Sequence, residues 1–325
     1  MDVVTRFWKF VMSNSGTFIL VLIPILSIIL VDYTSLLAIW NQGRGGFLFA
    51  VTFLGIEIFD ARSIISLRRG VLRRSLSILS VIITSAYFAT TELVLHTWIW
   101  NLGESLDVPL LFSWIMVWDY AIFSIFILVF LSLSYGFSSL RHLASANVYL
   151  AGMTIILLLD SIFPFDSLGP LQAFVPIILM VNARLVELFA LGQVSLMDNI
   201  LTLYGSKGTF SFAVFWPSAG VHSMLIYSLI MLLFLIKLNT SKMRKFSYFV
   251  IGTIMTFIVN TIRIFLLSAY VLLVSTDPIR FEAFHAMAGE IVFLPWVMAY
   301  VLIVGWREGR YTSSDGAVIT KSVEN

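Results

Sequence analysis

Long apolar stretches broken by short polar ones dominate the chain, with runs at about 16–31, 46–59, 76–98, 109–135, 147–163, 171–191, 219–236, 247–274 and 285–306. At ~1.5 Å of helical rise per residue, about 20 such residues cross a ~30 Å hydrocarbon core, so most of these runs are predicted transmembrane helices. A membrane β-barrel would instead show short segments alternating apolar and polar with period two. The texture changes at Gly192. Val194-Ser195-Leu196, Ile200-Leu201-Thr202-Leu203 and Thr209-Phe210-Ser211-Phe212-Ala213-Val214 alternate in part, and Gly205-Ser206-Lys207-Gly208 reads as a turn. This segment predicts a small β-hairpin or three short strands outside the bilayer, because a sheet edge in lipid would leave backbone groups unpaired.

Charge sets the expected orientation. Arg62, Arg68, Arg69, Arg73 and Arg74 form the densest basic cluster of a short loop, which the positive-inside rule assigns to the cytoplasm. Arg6 and Lys9 precede the first run, which ends at Asp32-Tyr33-Thr34 without a small-residue cleavage pattern and is taken as a retained helix. Lys237, Lys242, Arg244 and Lys245 close the run 219–236, so that helix is expected to start outside and end inside. An odd number of crossings must then separate the basic loop from the hairpin, yet four runs lie between them. The run 171–191 is the one expected not to span, because Arg184 and Glu187, spaced to pair on one face, are costly at membrane depth. The expected architecture is therefore an all-α polytopic membrane protein of about eight spanning helices. A single integral-membrane domain covers 1–306, a polar, disordered cytoplasmic tail covers 307–325, and both termini are cytoplasmic.

Composition agrees with that class. The 325 residues are 59% hydrophobic and 12% charged, too apolar for an ordinary soluble surface. The net charge of +2 is concentrated in particular loops, so it reports orientation rather than nucleic-acid binding. The absence of cysteine excludes disulfides, thiolate metal sites and a cysteine nucleophile. No cofactor is implied. None of the four histidines falls in a His-Glu-x-x-His pattern that would suggest a catalytic metal.

Three polar features interrupt the apolar half of the chain: Trp216-Pro217-Ser218-Ala219-Gly220-Val221-His222-Ser223, Asn260-Thr261-Ile262-Arg263, and His285-Ala286-Met287-Ala288-Gly289. In the expected topology, Ser218 and His285 sit at the outer ends of their helices, and Arg263 lies ~24 Å from the cytoplasmic end of its own. All three thus share one depth near the outer face. Read alone, Ser218 is a helix N-cap followed by small packing residues, and His285 an interfacial histidine. An arginine at membrane depth normally faces protein or water and finds a partner. With Asn260 one turn earlier on the same face, Arg263 could hold a carboxylate, a carbonyl or a developing oxyanion.

In order and spacing these residues resemble the exosortase/archaeosortase family of membrane transpeptidases. That family's pattern is a polar loop ending in Cys-small-Gly-x-x-Ser, then Asn-x-x-Arg in the next helix, then a histidine or arginine opening the following one. Here Ser218-Ala219-Gly220-Val221-His222-Ser223, Asn260-Thr261-Ile262-Arg263 and His285 stand in those places, and the resemblance covers about 171–306. It implies Ser218, Arg263 and His285 as catalytic residues, with Asn260, His222, Ser223 and Gly220 supporting them or contacting substrate. His222, four residues after Ser218, is expected on the same helical face as a reserve base. The implied substrates are secreted surface proteins with a C-terminal sorting signal, made of a Pro-containing motif, a hydrophobic helix and a basic end. The implied acceptor is a membrane lipid or another amine or hydroxyl. One departure stands out: Ser218 occupies the position of the family's cysteine. A thiol is activated by a nearby cation, whereas a hydroxyl needs a positioned general base. The chain is thus an inactivated cysteine-to-serine form, a natural serine-dependent variant, or a member that has lost catalysis.

A different class remains open: a non-catalytic transporter or lipid-binding protein with Asn260 and Arg263 along a polar path. The paired broken helices common in transporters do not recur in the two halves. A rhomboid-like serine hydrolase is disfavoured because no Gly-x-Ser-x-Gly surrounds Ser218.

Overall fold

The computed structural model describes residues 13–37, 43–68, 70–90, 94–163 and 172–323, with side chains at all of these but 286, 290, 294 and 309–323. Arg6, Lys9, Arg69 and Leu171, used above to read topology, lie outside the described residues, as do the last two residues of the expected tail. The chain forms two compact units, Met1–Phe163 and Pro164–Asn325.

The first unit is helical: α1 (Asn14–Asp32), α2 (Thr34–Leu37), α3 (Gly46–Asp60), α4 (Val71–Thr90), α5 (His96–Ser105), α6 (Leu111–Ser134) and α7 (Ser145–Ile162). Helix α1 starts where the Ser13 hydroxyl accepts from the Gly16 N–H at 2.9 Å. Helix α6 packs against α4, α5 and α7, and its Tyr120, Phe123 and Phe130 are completely buried. Among these apolar residues lies an ion pair. Arg44 donates through Nε to Asp119 at 2.7 Å and through Nη1 to Asp32 at 3.2 Å, while Tyr87 donates to the other Asp119 oxygen at 2.8 Å. Arg44 stands in a loop, and nothing in the spacing announces partners 12 and 75 residues away.

The second unit holds α8 (Val175–Leu188), β1 (Gln193–Met197), β2 (Ile200–Gly205), β3 (Gly208–Ala213), α9 (Val221–Lys237), α10 (Lys242–Leu273) and α11 (Pro278–Val323). The strands form an antiparallel sheet in the order β1-β2-β3, joined by two-residue turns at Asp198-Asn199 and Ser206-Lys207. Asp198 takes the left-handed φ of 54° that such a turn demands. Alternation does the rest. Leu201 and Leu203 face the core with Phe210 and Phe212 beside them, while the Thr202 and Ser211 hydroxyls meet at 2.9 Å on the exposed face. Helix α10 is the spine of the unit, since α8, α9, α11 and β2 all pack on it.

Among the described residues six helices are long and apolar enough to cross a membrane: Asn14–Asp32, Val71–Thr90, Leu111–Tyr135, Ser145–Ile162, Lys242–Leu273 and Pro278–Glu308. The chain is thus a mostly helical protein with membrane-spanning segments and a small three-stranded sheet. The expected count of about eight is not reached, because α3 has 15 residues and α9 has 17. Helix α8, with 14 residues, is also short, and its predicted Arg184–Glu187 pair is present at 3.1 Å on an exposed face. Helix α11 continues past Arg307, where the sequence predicts its end. No proline follows in that stretch to stop it, and Gly309 and Gly316 are weak breakers.

Candidate active site

The site grows from the turn that joins β3 to α9. Ser218 was expected to cap this helix, but the helix begins at Val221 and its N-cap is Gly220. Ser218 lies two residues earlier, in a compact turn where Ala219 N–H donates to Phe215 C=O at 2.8 Å and Val221 N–H to Trp216 C=O at 3.2 Å. The reason is Gly220. Its φ of +96° is in the left-handed region, where a side chain is strained, and any Cβ there would run into the Asn260 amide. Since Ser218 precedes the helix, the i,i+4 argument that set His222 on its face does not apply. His222 is buried with its ring edge-on to Trp216, centroids 6.3 Å apart, and Ser223 beside it is buried too.

Asn260 and Arg263, one turn apart on α10, hold this turn from below. Asn260 donates through Nδ2 to the Gly220 carbonyl at 2.9 Å, and Arg263 donates through Nη2 to the Ser218 carbonyl at 2.9 Å. Both side chains are buried, at 1% and 8% exposure, so these bonds form away from bulk water. The same Arg263 Nη2 lies 3.4 Å from His285 Nε2 on α11. A guanidinium can only donate, so His285 Nε2 is the acceptor and the ring proton belongs on Nδ1. That nitrogen lies 3.5 Å from the Glu282 carboxylate, one turn back. Two helices and the turn before a third thus contribute to one line of polar groups, running from Glu282 through His285 and Arg263 to the Ser218 backbone.

A cavity of about 260 Å³ opens alongside, lined by Ser218, His285, Glu282, Phe212, Phe281 and Leu267 among others. Its wall is largely apolar and aromatic: Phe210 and Phe212 of β3 pack on Phe281 at 5.0 and 5.2 Å, and Phe281 stacks on the His285 ring at 6.2 Å. His222 and Ser223 are not among its lining residues.

The structure therefore brings together Ser218, Gly220, Asn260, Arg263 and His285, from segments up to 67 positions apart (285 − 218 = 67). Two further residues escaped sequence reasoning. Glu282 was legible in principle, since a carboxylate three residues before a histidine on a helix shares its face. Gln172 was not: it accepts from the Trp216 N–H at 2.8 Å and donates to the Val214 carbonyl at 3.4 Å, clamping the segment between β3 and Ser218 from about 44 residues away. No group of three or more histidine, aspartate or glutamate side chains placed to hold a metal ion occurs among the described residues. No protein-family model, curated protein or solved structure matches this chain.

Proposed function

We propose that this chain is a membrane-embedded sorting transpeptidase of the exosortase/archaeosortase kind, with the side chain at position 218 as its nucleophile. The observation that carries this reading is the Arg263 guanidinium joining the Ser218 backbone carbonyl at 2.9 Å to His285 at 3.4 Å, beside a cavity that both Ser218 and His285 line. A nucleophile, a histidine base, an orienting carboxylate and a buried cation are the parts acyl transfer needs.

On this proposal a polypeptide carbonyl enters the cavity and the Ser218 Oγ adds to it, passing its proton to His285 Nε2. Arg263 stabilises the oxyanion that forms, and its rigid fork makes it better suited to this than lysine. The C–N bond then breaks, and the departing amine takes the proton from His285. An acyl ester on Ser218 remains. An acceptor hydroxyl or amine, such as a lipid headgroup, attacks that ester with the roles of His285 reversed, restoring the Ser218 hydroxyl. Glu282 is a positioning residue that holds the His285 tautomer. Helices α3 and α9 cross the membrane as well, giving about eight spans, cytoplasmic termini and a site at the outer face, where secreted substrates arrive.

The test compares native protein, Ser218→Cys and Arg263→Ala for cleavage of a substrate carrying a Pro-containing motif, a hydrophobic helix and a basic end. Cleavage is expected to be faster with cysteine, the better nucleophile, and reduced about 100-fold or more without Arg263. If neither the native nor the cysteine form cleaves any such tail while folded in a bilayer, the catalytic reading is wrong. Substrate-dependent flux through reconstituted vesicles would instead favour a transporter.

A further inference from the structure

Strand β3 is an edge of the sheet, and its pairing with β2 determines which of its backbone groups are committed. Val214 N–H donates to Asn199 C=O at 2.8 Å, which makes 199 and 214 a hydrogen-bonded pair in the β2–β3 register. Such pairs recur at every second residue of an antiparallel ladder. Phe212 therefore bonds to Leu201, and Phe210 to Leu203. At Thr209, Ser211 and Ala213 the backbone N–H and C=O point the other way, out from the edge. All three residues are exposed, and among the described residues no backbone hydrogen bond reaches them.

Proteins usually guard such an edge with charge, proline or a bulge. The strand 208–213 reads Gly-Thr-Phe-Ser-Phe-Ala and carries neither charge nor proline. The opposite edge, β1, lies against α8. The bare edge also leads to the site, since Phe212, Ala213 and Val214 line the same cavity as Ser218 and His285.

We infer that β3 docks an extended polypeptide by strand addition and delivers it to the cavity at Ser218. The inference rests on the proposed function, in that the docked polypeptide is the substrate tail. From Thr209 to Ala213 the edge is about 14 Å long at ~3.4 Å per residue, enough to pair with a segment of about five residues. Main-chain bonds supply affinity without regard to sequence. Selectivity comes from every second substrate side chain, which shares the face of Phe210 and Phe212 and meets Phe281 and the cavity. Those positions favour apolar side chains, and the intervening ones face water and are unrestricted.

The test uses the full chain in lipid nanodiscs and a synthetic peptide with a Pro-containing motif, a hydrophobic segment and a basic end. Amide exchange at 209, 211 and 213 is expected to slow about tenfold or more on adding peptide, while the already bonded amides at 210 and 212 change little. In a companion series the peptide backbone is N-methylated one residue at a time, which leaves the protein fold untouched. Binding is expected to weaken about tenfold at alternate residues. A peptide that is bound or processed without protecting those amides, or whose N-methyl scan shows no alternation, overturns strand addition and leaves the transpeptidase reading standing. A peptide neither bound nor processed overturns both. Protection that appears without peptide as protein concentration rises assigns the edge to a second copy of the chain, and likewise overturns the inference.

Discussion

Replacing Gly220 with alanine tests the joint between the turn that carries Ser218 and α10, and its effect divides into two separable parts. The first is backbone strain: at φ +96° a Cβ costs ~1–2 kcal/mol, whatever surrounds it. The second is collision, because the new methyl points into the Asn260 amide, which already donates to the Gly220 carbonyl at 2.9 Å. Overpacking of this kind costs ~1–3 kcal/mol, so Gly220→Ala is expected to destabilise by about 2–5 kcal/mol in all. Asn260→Ala alone strands a buried carbonyl and should lose about 1–3 kcal/mol. In the double variant the amide is gone and only the Cβ at 260, at 2.5 Å, still meets the methyl, so part of the collision is relieved while the strain persists. The two losses should therefore fall short of additivity by about 1 kcal/mol. Unfolding of the four proteins in detergent micelles, with two probes to check two-state behaviour, gives the cycle. Additivity within ~0.5 kcal/mol would refute the account, since the Asn260 amide would then not be what the methyl meets.

Further perturbations address the clamp at Gln172 and the buried ion pair of the first unit. Gln172→Ala leaves the Trp216 N–H and the Val214 carbonyl without their side-chain partner, so a loss of about 1–3 kcal/mol is expected in the same assay. Slower processing should accompany it, and restored processing in Gln172→Asn would show that reach is unimportant. In the first unit, Asp119→Ala removes the 2.7 Å partner of the buried Arg44 and should cost about 3–5 kcal/mol. Tyr87→Phe, which removes only the 2.8 Å bond to the other Asp119 oxygen, should cost about 1 kcal/mol. Similar losses for the two would show that Asp119 does not serve chiefly as counter-ion to Arg44.

How much of this was legible in the sequence depended on whether the signal was periodic, local or long-range. Apolar runs located the long helices, because the membrane imposes one composition over about 20 consecutive residues. They did not locate helix ends. The run at 247–274 belongs to a helix that starts at Lys242, because the Ser241 hydroxyl accepts from the Arg244 N–H at 3.4 Å and lysine and arginine propagate a helix well. Partial alternation after Gly192 was enough for three strands, since one buried face forces the period. Ser218 was misplaced for a local reason. Serine is a preferred N-cap, but the left-handed backbone is at Gly220, where the nearby Asn260 amide leaves no room for a Cβ, and the helix starts two residues on.

The candidate site follows the same division. Asn260 and Arg263 were conspicuous because polar groups in an apolar helix must find partners, and they do so on the Gly220 and Ser218 carbonyls. Those bonds leave one fully buried atom of each side chain over. Arg263 Nε and Asn260 Oδ1 are buried and have no partner among the described residues. Buried polar atoms are paired in the great majority of cases, and each exception asks for a cause. Here a donor and an acceptor stand one turn apart on α10, directly beneath the turn that carries Ser218. The left-handed backbone at Gly220, the clamp at Gln172 and the bonds from Asn260 and Arg263 together fix the turn that carries Ser218, and on the proposed function a turn fixed before substrate arrives is what preorganisation requires.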